Sequence, residues 1–418
     1  MKIFHGWKMV GAAAGIQFLQ AGILHQAFGA YFTMLEEEKG WSKTSLSGAA
    51  ALQSTEAAVV GPFLGWLIDR FGAQNLIRIG VLVLGAGFIT LSRIDTLAGF
   101  YGAVILIALG SSMCGFFPLN VSIIQWFERK RARALSMVGL GLALGGVAVP
   151  VVAGSMQAFG WRTTALASGL AMIVVGLPLA SVFRRRPEDF GEHVDGDVPG
   201  RPASAKAGVA AVGRAFEQLE FTARQALRTR AFWLLSLGHG VALLVVTAVN
   251  VHAISHMRES LGYSVAQASF FITMMTLSQV VGVLLGSVIG DRFDKRRVAA
   301  CCMLSHAAGL LLLTFASGAA MLVGFAVLHG TAWGLRGPFM QAIRADFFGR
   351  RSIGMILGLS AIVTALGQIF GPMIAGATAD LTGDYRTGFS LIAAVAAGGS
   401  LLFLLARRPL LPVSPTAA

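Results

Sequence analysis

The sequence predicts an all-α integral membrane protein of twelve transmembrane helices in two pseudo-symmetric six-helix halves. Three observations predict it. The 418 residues are 55% hydrophobic and only 13% charged, where soluble domains carry about one quarter charged residues. Apolar runs of about 20 residues or more recur along the chain, long enough to cross a hydrocarbon core as helices. A charged, glycine-flanked turn also appears twice, half a chain apart. Its first copy ends the run GPFLGWLIDRFG with Gly65, Asp69, Arg70 and Gly72, and its second is Gly290-Asp291-Arg292-Phe293. The glycines allow two helices to approach and the chain to turn, while Asp and Arg are free to pair with each other or with helix ends.

Taken in order, the spans fall at 7–34, 45–68, 76–94, 97–126, 134–157, 162–183, 231–256, 263–290, 297–316, 318–346, 351–378 and 386–406. The run from Trp7 is too long for a removable signal, and Lys2 and Lys8 accompany a full span. Of the 33 Lys and Arg, Lys39, Lys43, Arg93, Arg162, Arg258 and Arg386 fall in loops on one side and Arg336 falls inside a span. The other 26 lie on the side of the termini. By the positive-inside rule both termini are cytoplasmic, in the inner or plasma membrane. The net charge of +13 is therefore spread over loops and not gathered on a nucleic-acid-binding domain. Cys114, Cys301 and Cys302 lie in or beside spans and imply no disulfide framework.

Residues 1–183 form the N-terminal half and 231–418 the C-terminal half. Between them, 184–230 opens on Arg184-Arg185-Arg186-Pro187 and continues rich in Gly, Pro and Ala. From Gly213 to Arg230, Phe216, Leu219, Ala223 and Leu227 recur at helical spacing among Arg214, Arg224 and Arg228. That pattern fits an amphipathic helix at the membrane interface, or a solvated linker helix. The halves repeat beyond the turn. Trp126-Phe127-Glu128-Arg129-Lys130-Arg131, Gly145, Pro150, Gly154 and Trp161-Arg162 are echoed by Phe347-Phe348-Gly349-Arg350-Arg351, Gly367, Pro372, Gly376 and Tyr385-Arg386. Pro118 has its counterpart in Pro338.

On these residues the chain resembles the major facilitator superfamily of secondary transporters. The Gly65–Gly72 turn matches the superfamily's signature between the second and third helices. His5-Gly6-Trp7, Glu38-Lys39-Gly40-Trp41-Ser42, Trp126-Phe127, Val251-His252 and Leu261-Gly262-Tyr263-Ser264 resemble its monocarboxylate-transporter branch. The resemblance implies a substrate site between the halves near the midplane, with Gly65, Asp69, Arg70, Gly72, Asp291 and Arg292 as a conformational gate. It also implies a place for a first-span lysine, and here that place holds His25. The branch's eighth-span aspartate–arginine pair is replaced by Gln279 and Val283, so its anion-binding arginine is missing.

Ionisable groups inside spans are costly and invite functional readings. Glu56 falls near the middle of the second span with Gln53 one turn before it. It is a candidate proton carrier, the alternative being a structural hydrogen bond to a neighbouring helix. Arg336 lies about 11 residues from the end of the tenth span, roughly 16 Å at the helical rise. Its planar fork suits a carboxylate, although Glu56 or a carbonyl freed by Pro338 would serve as structural partners. His25 is a second candidate for both anion and proton. Asn120, Gln279, His329, Trp333 and Gln368 are candidate cavity-lining residues. His239, Asn250, His252, His256 and His306 are weaker ones. His252 and His256 share a helical face, but no further ligand is evident for a metal. No nucleotide-binding or catalytic motif is present, so neither a cofactor nor enzymatic activity is expected. The expected function is proton-coupled movement of a small organic anion by a monomer in the lipid bilayer. The alternatives are proton-driven efflux of an amphiphilic compound and a transport-dead membrane sensor.

Overall fold

The structure, a computed structural model, describes residues 4–25, 31, 34–35, 38–41, 56, 59–196 and 220–410. It is an all-α membrane bundle of the twelve-helix, two-half type. Among the described residues, eight helices are long and apolar enough to cross a membrane. The first span begins as the helix His5–Gln20 and widens into a looser turn over Ala21–His25. The second is described at 56 and over 59–71. The third runs Ala73–Leu91, the seventh Arg230–Glu259, and the eighth Val265–Ile289. The ninth to twelfth are Lys295–Thr314, Ala319–Phe348, Ile353–Thr382 and Arg386–Leu405.

Proline chemistry explains where two spans depart from simple rods. The fourth is broken into Leu97–Cys114 and Phe116–Trp126, with Gly115 extended between them. Pro118 has no N–H and its ring clashes with the carbonyl four residues back, which is that of Cys114. The freed carbonyl accepts from Gln20 Nε2 at 3.0 Å, tying the first span to the break. The fifth runs Arg131–Leu144, tightens through Gly145–Ala148 just ahead of Pro150, and continues in Val149–Ser181. That last helix holds the end of the fifth span and the whole of the sixth. Gly160, at φ 77°, makes the reversal between them, a conformation L side chains rarely adopt.

The halves repeat in their packing as in their sequence. The first span packs on the fifth as the seventh packs on the eleventh, and the third packs on the fourth and sixth as the ninth packs on the tenth and twelfth. Between the halves, the fifth span lies against the eighth and the second against the eleventh. The second pair is very close. A Cβ on Gly65 would stand 2.4 Å from the Gly354 carbonyl oxygen, a backbone atom that cannot yield. Gly65→Ala is therefore expected to part these two spans. Labelling of a cysteine placed at the buried Ser122 should then accelerate, and unchanged labelling would refute the close-contact argument.

The linker departs from expectation. Residues 220–222 are extended, and the helix there covers only Ala223–Leu227, started by a reciprocal cap between Thr222 and Gln225. A continuous amphipathic helix to Arg230 is thus corrected: the hydroxyl of Thr222 captures the Gln225 N–H and begins a new, short helix. Positions 213–219 lie outside the described residues.

Candidate substrate cavity and gate

A cavity of about 410 Å³ lies between the halves, walled by the first, second, fourth, fifth and eleventh spans. Its polar lining is Gln17, Gln20, Glu56, Ser111, Ser112 and Gln368. These groups are partly wired together. Ser111 Oγ donates to Gln20 Oε1 at 3.2 Å, and Ser112 Oγ donates to Glu56 Oε2 at 2.8 Å. Glu56 Oε1 and Gln17 Nε2 are buried without a hydrogen-bond partner among the described residues. An orphaned carboxylate oxygen and an orphaned amide donor on one cavity wall have unmet bonding capacity, and a bound polar solute would meet it.

The sequence candidates separate into two places. Glu56 and Gln368 line the cavity. Arg336 and His329 lie in the interior of the C-terminal half, both fully buried. Arg336 Nε and Nη1 have no hydrogen-bond partner among the described residues. No ion pair joins Arg336 to Glu56 in this conformation, so the alternative of a structural Glu56–Arg336 pair does not hold here. Asn120 is also buried, with both amide atoms unpartnered. Gln279 and Trp333 are half-buried, and His25 closes the first span's wide turn with its side chain outside the described residues.

Sequence reasoning missed several groups. Gln17 and Gln20 share a face of the first span, and Ser111-Ser112 interrupts an apolar run; both signals were readable. Arg344 was counted with the basic loops, yet only 2% of it is exposed. It donates to the carbonyls of Met340 and Leu235 and, at 2.7 Å, to Ser360 Oγ. His306 and His329 face each other with their Nδ1 atoms 3.2 Å apart. His252 and His256 are spent on the carbonyls of Pro372 and Leu313, and no metal-binding cluster occurs among the described residues.

One face of the bundle carries both termini: His5 bonds to the Val182 carbonyl, and Arg296 to that of Ala406. Among the described residues, every hydrogen bond between the two helical halves lies at this face. Asp69 accepts from the backbone N–H groups of Gly354 and Met355 at 2.9 and 2.8 Å, across the start of the eleventh span. Asp291 accepts from those of Ala132 and Arg133 at 2.9 and 3.2 Å, at the start of the fifth. Helix starts carry unpaired N–H groups and partial positive charge, which is why two carboxylates suit them. Desolvation nonetheless raises the carboxyl of Asp291, just beyond the end of the eighth span, the amide bonds opposing the shift. Arg131 pairs with Asp346, which also holds Lys295 at 2.9 Å. Arg70 does not pair with Asp69. Its guanidinium lies over the rings of Trp66 and Phe71. Arg292 is exposed. The motifs of the chain's start meet here too, His5 and Trp7 packing on Trp126 and Phe127.

Comparison with known proteins follows the same lines. The family model described as Major Facilitator Superfamily matches residues 12–251 and 235–418. "MFS transporter asaE" of Aspergillus flavus is 24% identical over 378 residues, covering 88% of this chain and 79% of that protein. "Monocarboxylate transporter 13" of Bos taurus is 22% identical over 401 residues, covering 94% and 88%. "Membrane sensor protein UhpC" of Salmonella typhimurium is 25% identical, covering 82% and 78%. Among solved structures, the Escherichia coli fucose:proton symporter superposes with a TM-score of 0.72 at 14% identity, covering 96% of this chain and 98% of that one. The human organic anion transporter MFSD10 does so at 0.68 and 12%, covering 95% and 97%.

Proposed function

The chain belongs to the major facilitator superfamily, and from that premise we propose that it is a secondary active transporter carrying a small organic anion, a carboxylate, with protons by alternating access. The observation that carries this reading is a pair of ionisable groups inside the bundle, Glu56 on the cavity wall and the fully buried Arg336, neither of them ion-paired among the described residues. An uncompensated buried guanidinium is costly, and a mobile anion relieves it. A carboxyl with a free oxygen on the cavity wall is a place for a proton. Coupling follows from competition. Arg336 does not line the cavity in this conformation, so the reading requires the C-terminal half to rearrange and bring it there. With Glu56 protonated, Arg336 then takes the substrate anion; with Glu56 ionised and the substrate gone, the two charges neutralise one another and the empty carrier returns.

The closed face with the termini is the cytoplasmic one by its Lys and Arg excess, so on this reading the conformation is closed to the cytoplasm. Ala205→Cys is expected to be labelled only from the cytoplasmic side and Gly40→Cys only from outside. The reverse pattern would overturn the orientation.

Uptake of labelled solutes into proteoliposomes tests the substrate class. Carboxylates are expected to enter and to exchange, and neutral sugars not to. Entry of sugars alone would contradict the reading. The relative named a membrane sensor supports a second reading, in which a ligand binds without net flux. Saturable binding with no uptake or exchange would favour it.

A further inference from the structure

An apolar groove with a volume of about 480 Å³ lies away from the central cavity, on the outer flank of the C-terminal half. The tenth span forms its floor at Thr331 and Leu335, between walls from Ile289 of the eighth and Val298 and Cys301 of the ninth. Leu284, Leu285, Val288 and Leu304, on the same two wall helices, are exposed large apolar side chains. On membrane helices such side chains face hydrocarbon, so the groove opens onto the bilayer.

Its mouth lies at the face with the termini, where Phe293 is 61% exposed and Arg297 lines the rim. The local cations are not equivalent. Lys295 is held by Asp346, and Arg296 by both oxygens of Asp294. The exposed side chain of Arg297 has no hydrogen bond or ion pair with a described residue, and the acid beside it on the rim, Asp294, is bonded to Arg296. The rim thus presents an exposed cation beside an aromatic ring, directly below an apolar slot. From Arg297 to Ser305, deep in the slot, the ninth span rises about 12 Å.

We propose that this groove is a binding site for one anionic phospholipid of the leaflet at the face with the termini. An acyl chain lies along Thr331 and Leu335, and the phosphate sits on Arg297. The matching of an exposed cation to an anionic headgroup, at the boundary where headgroups lie, selects this occupant over a neutral one. The proposal is independent of the transported substrate.

Cys301 supplies a natural reporter, being exposed on the groove wall while Cys114 and Cys302 are buried. The full-length protein is placed in mixed micelles containing either phosphatidylglycerol or phosphatidylcholine. The rate of Cys301 alkylation by a maleimide is then read by mass spectrometry. Phosphatidylglycerol is expected to slow alkylation about fivefold more than phosphatidylcholine, the worth of one well-placed surface cation. Arg297→Gln, at an exposed position, is expected to fold and to erase that preference. Native mass spectrometry should count one retained phosphatidylglycerol on the parent and none on the variant. Equal protection by the two lipids, a preference unchanged in Arg297→Gln, or protection by small carboxylates without phospholipid would each overturn the assignment.

Discussion

Replacing Asp69 and Asp291 together by alanine is expected to open the face with the termini. Each substitution strands two backbone N–H groups at a helix start that the carboxylate now satisfies. A fully buried donor left without a partner costs about 1–3 kcal/mol, and these part-buried or exposed ones cost less each, so about 1–3 kcal/mol per substitution is expected. The two sites lie on separate helix pairs, so their effects should add closely. Either change alone should move the conformational equilibrium about 5- to 150-fold. The measurement is alkylation, from the side of the termini, of a cysteine at the buried Ser122, in a Cys301→Ser background. Faster labelling and slower transport are expected. Parent-like rates for both would mean that the carboxylates do not hold the face.

Arg336→Ala is expected to abolish substrate binding and exchange. The guanidinium is buried with two nitrogens unpartnered, so little in the described protein depends on it for hydrogen bonding, and its removal should spare the fold. Arg336→Lys keeps the charge but not the fork, and should weaken binding by about 1–3 kcal/mol. Exchange by Arg336→Ala at the parent rate would make the arginine structural.

The spans and the two Asp-bearing turns were legible for separate physical reasons. Hydropathy marks a helix because hydrocarbon tolerates no unpaired backbone. The two Gly–Asp turns mark a contact because the glycines permit close approach and the aspartates can cap a helix. Which helix each aspartate caps was not legible, since Gly354 and Ala132 are brought to them only by the packing of the halves. The cavity was half legible. Glu56 stood out as an acid in an apolar run, but Gln17 and Gln20 passed unnoticed because periodicity gives a face without saying what it faces. Arg344 shows the limit of counting charge by position. Its place near a helix end reads as solvated, yet Ser360 and the Leu235 carbonyl, remote in sequence, draw it into the core.

The most direct test of proton-coupled carriage is the internal pH of proteoliposomes as a transported carboxylate is added outside, with exchange measured in parallel. Vesicles holding the parent should acidify with uptake, above the leak seen with Arg336→Ala. Those holding Glu56→Gln should exchange substrate but show no acidification beyond that leak. Uptake by the parent without a pH change, or undiminished acidification with Glu56→Gln, would contradict the account.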